Sequence, residues 1–230
     1  MAIISFSHNF IFIKTRKTAG TSLEVHFAQE CTDSDIITPI YPKNPMHKPR
    51  NYVGQNGVVI FYNHMTAIQI SHRCPDSFQN SHKFCFERHP VDKCLSHFAM
   101  LLNSSFHRGE GNPATWEEYL ERGQFPIDTD LYTDKEGKLI VDKIYKYEEI
   151  TEALADITER TGVPNRLLTV REKSGFRYNV PTFAEIMARS DHCDVIWKAF
   201  EPTLRFVDYS CARRSRSQTR RGIPACKNRY

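Results

Sequence analysis

Short apolar runs alternate with segments of helical spacing along much of the chain. The first run, residues 10–14, is long enough for a buried strand, and Leu23 and Phe27 lie four apart on one face of the helix predicted after it. Comparable apolar runs occupy residues 58–62, 84–86 and 139–147. Strands that alternate with helices are typical of a parallel sheet with both faces covered. The pattern therefore predicts an α/β fold with a central parallel β-sheet flanked by helices on both faces.

Capping and breaking residues indicate where the helices begin and end. Thr21 and Glu24 have the spacing of a capping box, so the first helix is predicted to begin near Thr21 or Ser22. Pro90 suits the first turn of a helix, and the apolar residues that follow it have helical spacing. Further helices are predicted up to about Arg73, at residues 116–122, from Ile150 to a stop at Gly162, and at residues 182–200.

Two polar segments interrupt this pattern. Residues 32–57 are rich in proline, asparagine and lysine, and residues 103–136 form a polar insertion that holds one amphipathic helix. Because variable loops on a rigid scaffold often carry specificity, both segments are expected to border the cleft that receives a substrate. Trp116 heads the amphipathic helix and is expected to lie in the core. The aromatic residues that would either stack on a substrate or pack locally are Tyr41, Tyr52, Phe106 and Tyr132.

Length and composition limit the class of protein. The 230 residues suit one globular domain or two small ones, and 40% hydrophobic against 25% charged residues exclude wholesale disorder. No apolar run approaches the ~20 residues of a membrane span and the N-terminus has no secretion signal, so a cytoplasmic location is expected. The seven cysteines include no CxxC pair, and no pattern of metal ligands occurs. Reduced thiols and no bound metal are therefore expected.

The positive charge of the chain is concentrated near its C-terminus. Residues 212–230 carry seven basic side chains and no acid, which leaves 24 basic against 27 acidic residues in residues 1–211. This difference divides the chain into a near-neutral domain, residues 1–211, and a basic, flexible tail. A solvated terminus is the expected role of the tail, and contact with an anionic surface is the alternative. Nucleic acid is not an expected partner.

The segment after the first predicted strand, here called loop 14–22, has the composition of an anion-binding loop. Lys17 supplies a positive charge, and Ala19 and Gly20 permit close approach of the backbone. Thr21 and Ser22 add hydroxyl donors, next to the free amides at the start of a helix. An ordinary nucleotide triphosphatase would require the order GxxxxGK[ST]. Because the lysine here precedes the glycine, that class is disfavoured.

A second candidate site follows the strand predicted at residues 84–86. Arg88 lies at the end of this strand, and Ser96 lies on the first turns of the next helix. Ligands of open α/β sheets bind at this end of the strands, where an arginine can form a bidentate contact with a phosphate and a serine can donate a hydrogen bond. Either residue alone would more often be an ordinary surface residue. The evidence for a binding site therefore comes from this motif and loop 14–22 together.

Together the two motifs resemble those of the sulfotransferases that use 3′-phosphoadenosine-5′-phosphosulfate (PAPS). The resemblance is to the carbohydrate-type branch, which includes heparan sulfate 2-O-sulfotransferase and bacterial relatives. It covers most of residues 10–210 and implies a P-loop-like fold, PAPS as the donor, adenosine 3′,5′-bisphosphate (PAP) as its product, and a hydroxyl acceptor, with a saccharide as the expected class. The matching stretches are KTAGTS at 17–22, YNHMTA at 62–67, FCFERHP at 84–90 with Ser96, Tyr147-Glu148, and FEPTLRFVDYS at 200–210.

The resemblance also implies roles for individual residues. Loop 14–22 would hold the 5′-phosphosulfate, and Arg88 with Ser96 would hold the 3′-phosphate. His64 would be the general base, since imidazole accepts protons near neutral pH, and Lys17 would stabilise the departing phosphate. The donor-binding residues implied in this way are Lys17, Thr18, Ala19, Gly20, Thr21, Ser22, Arg88, Ser96, Lys173, Ser174 and Arg177.

Three residues depart from the pattern of those relatives. Arg16 stands where they often have proline, Glu87 where an apolar residue is usual, and Lys93 where arginine is common. Glu87 would bring an acid close to an anionic ligand unless strand alternation points it away. Besides His64, the alternatives for the base are Glu87, His89 and an acid of the insertion.

Two other functions stay open at the level of the sequence. One is a P-loop-like phosphotransferase that uses ATP and magnesium, which would need a magnesium-binding acid after a strand. The other is a non-enzymatic module that binds anions through its basic tail, residues 212–230.

Overall fold

One five-stranded sheet organises the part of the chain that the structure describes. The computed structural model describes residues 2–107, 109–165 and 175–210. The strands are β1 (Ala2–Ser5), β2 (Phe10–Ile13), β3 (Ile36–Ile37), β4 (His82–Glu87) and β5 (Lys143–Lys146). They lie across the sheet in the order β3-β1-β2-β4-β5.

Helices on both faces of the sheet confirm the expected α/β class. The first helix begins at Gly20, slightly before its predicted start, and the predicted helix at 182–200 is divided into two at Arg189. The helices predicted at 116–122 and after Ile150 are confirmed. In the described ranges the helices are α1 (Gly20–Glu30), α2 (Ala67–Arg73), α3 (Pro75–Asn80), α4 (Pro90–Asn103), α5 (Trp116–Arg122), α6 (Thr129–Tyr132), α7 (Ile150–Thr161), α8 (Phe183–Ala188), α9 (Ser190–Ala199) and α10 (Glu201–Leu204).

The sheet is mixed, so the prediction of a purely parallel sheet was wrong. β4 runs parallel to both β2 and β5, but β1 pairs with β2 and with β3 in the antiparallel direction. The reason is the connection between β1 and β2, which consists of residues 6–9 alone. A connection this short permits only an antiparallel hairpin, because a parallel neighbour needs a crossover of a dozen or more residues.

The apolar run 58–62 does not form the predicted strand. Val59 pairs with Val53 through an isolated bridge, and the side chains of Val58 and Val59 are 58% and 53% exposed. The run 139–147 is likewise a strand only in β5. An apolar run of this length has the composition of a strand, but composition does not determine whether a sheet edge is available to pair with it.

Alternating residues of the strands build a separate core on each face of the sheet. On one face Phe10 and Phe84 surround Phe27 of α1, with ring centroids 5.4 and 5.7 Å from it, and α7 covers the remainder. On the other face Ile11 and Ile13 pack against residues of α2 and α6. Both faces of the central strands are therefore buried, which accounts for their continuous apolar runs.

The parallel alignment of β2, β4 and β5 brings the segments that follow them to one edge of the sheet. Loop 14–22 follows β2, Arg88 follows β4, and Tyr147 follows β5. The Thr15 hydroxyl donates to the carbonyl oxygen of Phe86, which joins the first two of these segments directly. This carboxyl edge is where ligands of open α/β sheets bind.

The insertion 103–136 packs as part of the same fold. Trp116 is 3% exposed and stacks against Tyr119, so its expected place in the core is confirmed. Its indole Nε1 donates to Nδ1 of His192 on α9 at 3.0 Å. In the ranges described, no helix combines the length and the apolar character needed to cross a membrane.

Gly162 provides a test of the end of α7. Its φ of 71° is left-handed, and its amide donates to the Thr158 carbonyl at 2.8 Å. A Cβ here would meet no atom of the described residues within 4 Å, so Gly162→Ala tests the backbone strain. We expect the free energy of unfolding, measured with urea, to fall by about 1 kcal/mol. Gly109→Ala is the control, since Gly109 has equal space without the positive φ; an equal loss there would contradict the assignment.

Candidate functional site

A cavity of about 980 Å³ opens at the carboxyl edge of the sheet. Its wall is formed by the segments that follow β2, β4 and β5, together with α4 and residues near the two polar segments. Both motifs singled out in the sequence therefore meet in one cavity. The predicted site residues that line it are Lys17, Ala19, Gly20, Thr21, Ser22, His64, Arg88, Ser96 and Arg177.

Among the described residues, Thr18 is the predicted donor-binding residue that does not line this cavity. Thr18 is fully buried within loop 14–22, where its hydroxyl lies 2.9 Å from the Thr15 hydroxyl. Its side chain thus holds the loop together instead of facing the cavity. Lys173 and Ser174 fall outside the described residues, as does the tail at 212–230.

Backbone strain is concentrated at the cavity. In the described ranges, six residues other than glycine have a positive φ, and three of them are asparagines, which tolerate this conformation. The others are Lys17, Ala19 and His64, with φ of 63°, 56° and 54°, and all three line the cavity. Unfavourable dihedrals persist only where the surrounding structure enforces them, and they cluster at functional sites. Their coincidence here supports a functional role for the cavity.

Loop 14–22 is shaped by the side chain of Lys14. The aliphatic stem of Lys14 passes so close to Gly20 that a Cβ on Gly20 would lie 2.6 Å from Lys14 Cγ. The Lys14 ammonium donates to the Thr21 hydroxyl at 3.0 Å and to the buried Glu24 carboxylate at 3.2 Å. α1 begins at Gly20 with no hydrogen bond from a capping side chain, and the start of a helix is a favourable position for an anion. The sequence indicated the glycine but not this packing reason for it.

Arg88 connects the second motif to the first. Its Nη1 donates to the Lys17 carbonyl at 3.0 Å, and its guanidinium lies 4.1 Å from the centre of the Tyr147 ring. Its Nε donates to Asp92 of α4 at 2.6 Å. Ser96 lies one helical turn beyond Asp92 and also lines the cavity. The guanidinium is thus fixed on three sides before any ligand binds.

Asp92 and Asn103 hold the segment 175–178 against α4. Arg177 Nη2 is 2.6 Å from Asp92 Oδ1, so one carboxylate holds the two arginines of the site. The Asn103 amide donates to the carbonyls of Phe176 and Tyr178 at 2.7 and 2.8 Å. Phe176 and Arg177 both line the cavity. This segment therefore closes one side of it.

His64 has the geometry of a neutral proton acceptor. Its Nδ1 lies 3.0 Å from the Lys14 carbonyl oxygen, which can only accept, so Nδ1 carries the proton and Nε2 keeps a free lone pair. Burial, with the nearby charge of Lys14, lowers the pKa of His64 to about 3. The imidazole is therefore neutral at cellular pH.

The other candidates for the base lie outside the cavity lining. Glu87 is fully buried and bonded to Lys93, so strand alternation does point this acid away from the cavity. The ring of His89 packs against Phe183, Trp197 and Tyr209. No aspartate or glutamate occurs among the described residues that line the cavity.

His97 is a lining residue that the sequence did not indicate. It follows Ser96 on α4, and its Nδ1 lies 3.1 Å from the Tyr119 hydroxyl. Burial, with the charges of Lys17 and Arg16, lowers the pKa of His97 to about 4. The sequence around a histidine on an amphipathic helix does not show whether its side chain faces a cavity or the solvent. For His97 this depends on how α4 packs against α5, which supplies the Tyr119 partner.

The structure also separates the aromatic residues proposed for substrate contact. Tyr41 and Phe106 line the cavity and are 56% and 61% exposed, so both can stack on a ligand. Tyr132 is fully buried in the core, and Tyr52 packs against the same core cluster. Each of the two polar segments thus contributes one aromatic residue to the lining of the cavity.

Comparison with known proteins identifies no relative: no family model matches the chain, and the curated proteins give no match either. The relation to PAPS-dependent sulfotransferases therefore stays a prediction from the motifs and from their arrangement.

The pKa of His64 predicts a pH-dependent stability. An unfolded histidine has a pKa of about 6.5, so between about pH 6.5 and about pH 3 the unfolded chain binds the proton more readily than the folded protein. The stability contributed by the neutral imidazole is complete above this range and is lost as the pH falls through it. His64→Asn removes this titration and keeps a residue that tolerates positive φ.

We therefore expect the unfolding free energy of the wild type to fall more steeply than that of His64→Asn from about pH 7 to about pH 5. The difference in slope is at most about 1.4 kcal/mol per pH unit, the value for one proton. Urea unfolding curves at several pH values measure both slopes. Parallel slopes would show that His64 is not buried as a neutral ring.

Proposed function

We propose that this protein is a cytoplasmic PAPS-dependent sulfotransferase, which transfers a sulfuryl group to a hydroxyl acceptor. The observation that carries the proposal is that loop 14–22 and the pair Arg88 and Ser96 line one cavity. PAPS has phosphate groups at both its 5′ and 3′ positions, and the two motifs provide a separate anion site for each. The resemblance of the motifs supplies the identity of the donor.

The donor is bound by two groups of residues. The 5′-phosphosulfate binds the amides at the start of α1, the hydroxyls of Thr21 and Ser22, and the ammonium of Lys17. The 3′-phosphate binds Arg88 and Ser96, with Arg177 beside them. Since Asp92 already orients both guanidinium groups, little side-chain order is lost on binding.

The transfer reaction uses His64 and Lys17, which both line the cavity. The acceptor oxygen attacks sulfur, so a sulfur–oxygen bond forms to the acceptor as the bond from sulfur to the 5′-phosphate oxygen breaks. Nε2 of His64 takes the hydroxyl proton, while Lys17 and the amides of loop 14–22 stabilise the charge on the departing phosphate. An anionic donor next to His64 favours its protonated form and raises its pKa toward the useful range.

The acceptor site is formed by the exposed aromatic residues at the cavity. Tyr41 and Phe106 offer flat apolar faces, and Asn63 adds an amide in the lining. Flat rings combined with hydrogen-bonding groups suit a saccharide, whose rings have apolar faces and many hydroxyls. A saccharide hydroxyl is therefore the proposed acceptor.

The ATP-dependent alternative has less support. A kinase-type site binds magnesium through carboxylates, and the described lining of this cavity includes none. The alternative of an anion-binding module that uses residues 212–230 lies outside the described residues. If this alternative is correct, removal of residues 212–230 abolishes anion binding.

Binding of PAP tests the proposed donor site. The wild type is expected to bind PAP more tightly than ATP with magnesium, and Arg88→Ala is expected to weaken PAP binding by about tenfold or more, because hydrogen bonds to a charged group contribute about 1.5–3 kcal/mol. Titration calorimetry measures each affinity. Arg160→Ala is the matched control, since Arg160 forms an ion pair on α7 away from the cavity.

Two results would reject this donor site. One is a preference for ATP with magnesium, which would favour the phosphotransferase. The other is a loss of PAP binding on deletion of residues 212–230 with no effect of Arg88→Ala, which would favour the anion-binding tail.

Replacement of His64 separates catalysis from binding. Asparagine keeps the backbone conformation and can donate to the Lys14 carbonyl, but it cannot accept the hydroxyl proton. His64→Asn is expected to lower kcat by about 10²-fold or more and to change the PAP affinity by less than about threefold. Transfer from labelled PAPS to a panel of saccharides measures kcat. A comparable loss of PAP affinity would instead assign His64 a structural role.

A further inference from the structure

A network of four charged side chains joins loop 14–22 to the insertion 103–136. Lys93 of α4 lies between two acids, with its Nζ 2.7 Å from Glu87 Oε2 and 2.9 Å from Asp128 Oδ2. Asp128 also binds Arg16, whose Nε is 2.6 Å from Asp128 Oδ1. The side chains of Glu87, Lys93 and Asp128 are fully buried. Two acids and two bases balance in this network.

Asp128 also holds the backbone of loop 14–22. Its Oδ2 accepts a hydrogen bond from the Arg16 amide at 2.7 Å, and the Arg16 guanidinium donates to the Ile127 carbonyl at 2.7 Å. On the other side, Arg88 donates to the Lys17 carbonyl at 3.0 Å. The strained residue Lys17 is thus held on both sides. Asp128 fixes the amide of the preceding residue, Arg16, and Arg88 fixes the carbonyl of Lys17 itself.

The network keeps Asp128 ionised. Burial alone would raise the pKa of Asp128, but the charges of Lys93 and Arg16 hold this pKa below its ordinary range. Lys93 is needed for this balance, because removing one member of a buried charged group leaves its partner unpaired at a large cost in free energy. Glu87 is the second partner of the Lys93 ammonium.

We propose that Asp128 is the positioning residue for loop 14–22, and that Lys93 and Glu87 fix Asp128 for this role. The proposal rests on the proposed function, since the loop is the part that binds the phosphosulfate. It also gives one explanation for the three departures from the motif pattern. Arg16 supplies the amide and the guanidinium that bind Asp128, neither of which proline has, and Glu87 and Lys93 form the rest of the same network.

Asp128→Asn tests the proposal, with Asp156→Asn as its matched control. Asp156 also accepts from several donors, namely Lys143 at 3.0 Å, Tyr145 at 2.5 Å and Arg160 at 2.8 Å, but it lies near β5 and does not line the cavity. Two readouts are used: amide hydrogen exchange of residues 15–19 without ligand, and PAP affinity by calorimetry.

In Asp128→Asn we expect exchange at residues 15–19 to accelerate and PAP affinity to fall by about tenfold or more. In Asp156→Asn we expect both quantities to stay within about twofold of the wild type. A purely stabilising role of Asp128 would lower the unfolding temperature of Asp128→Asn and leave its hydrogen exchange at residues 15–19 and its PAP affinity at the wild-type values. That result, in an Asp128→Asn variant shown by circular dichroism to be folded, would overturn the proposal.

Arg16→Ala tests the positioning role of Asp128 if Asp128→Asn does not fold. The Arg16 side chain is 43% exposed, so its removal is tolerated better than a change in the buried network. It removes the guanidinium contacts with Asp128 and Ile127. Because Arg16 itself lines the cavity, hydrogen exchange is the deciding readout for this variant. We expect exchange at residues 15–19 to accelerate; unchanged exchange would overturn the proposal. If the wild type fails to bind PAP, the proposed function falls, while hydrogen exchange still judges the role of Asp128.

Discussion

Parallel pairing between β2 and β4 is the constraint on which the site depends. The pairing runs from Phe10 opposite His82 to Ile13 opposite Cys85, so both strands end at the same edge of the sheet. Loop 14–22 and Arg88 therefore become neighbours, and the hydrogen bond from Arg88 to the Lys17 carbonyl joins residues 71 positions apart. An antiparallel β4 would leave Arg88 at the opposite edge, with no shared cavity.

Four of the cations that line the cavity are held in place by ion pairs with buried or half-buried acids. In four ion pairs at the cavity, the cation belongs to the described lining and the carboxylate lies outside it. The acids thus fix the cations from behind, and the wall keeps a surface of cationic groups and amides that suits an anion. The pairs are Lys14 with Glu24, Arg16 with Asp128, and both Arg88 and Arg177 with Asp92.

Sequence patterns that act over a few residues predicted the helices better than they predicted which strands pair. The α/β class, the helix at 116–122 and the end of α7 at Gly162 follow from periodicity and capping, which act over a few residues. The exposed run 58–62 was misassigned because its composition suits a strand, while pairing depends on which sheet edges are free. β1 was not predicted to run antiparallel, although the short connection at residues 6–9 carried that information.

The sequence by itself determined the chemical groups of the candidate site: a lysine and small residues before a helix, an arginine and a serine after a strand, and a histidine at 64. Only the tertiary structure decided how these groups are used. It buried the Thr18 side chain within loop 14–22, placed His97 in the cavity lining, and joined Arg16 to Asp128 across 112 positions of sequence. The physical reason is that residue types and short spacings set local conformation and charge, whereas burial and partners depend on packing between distant segments.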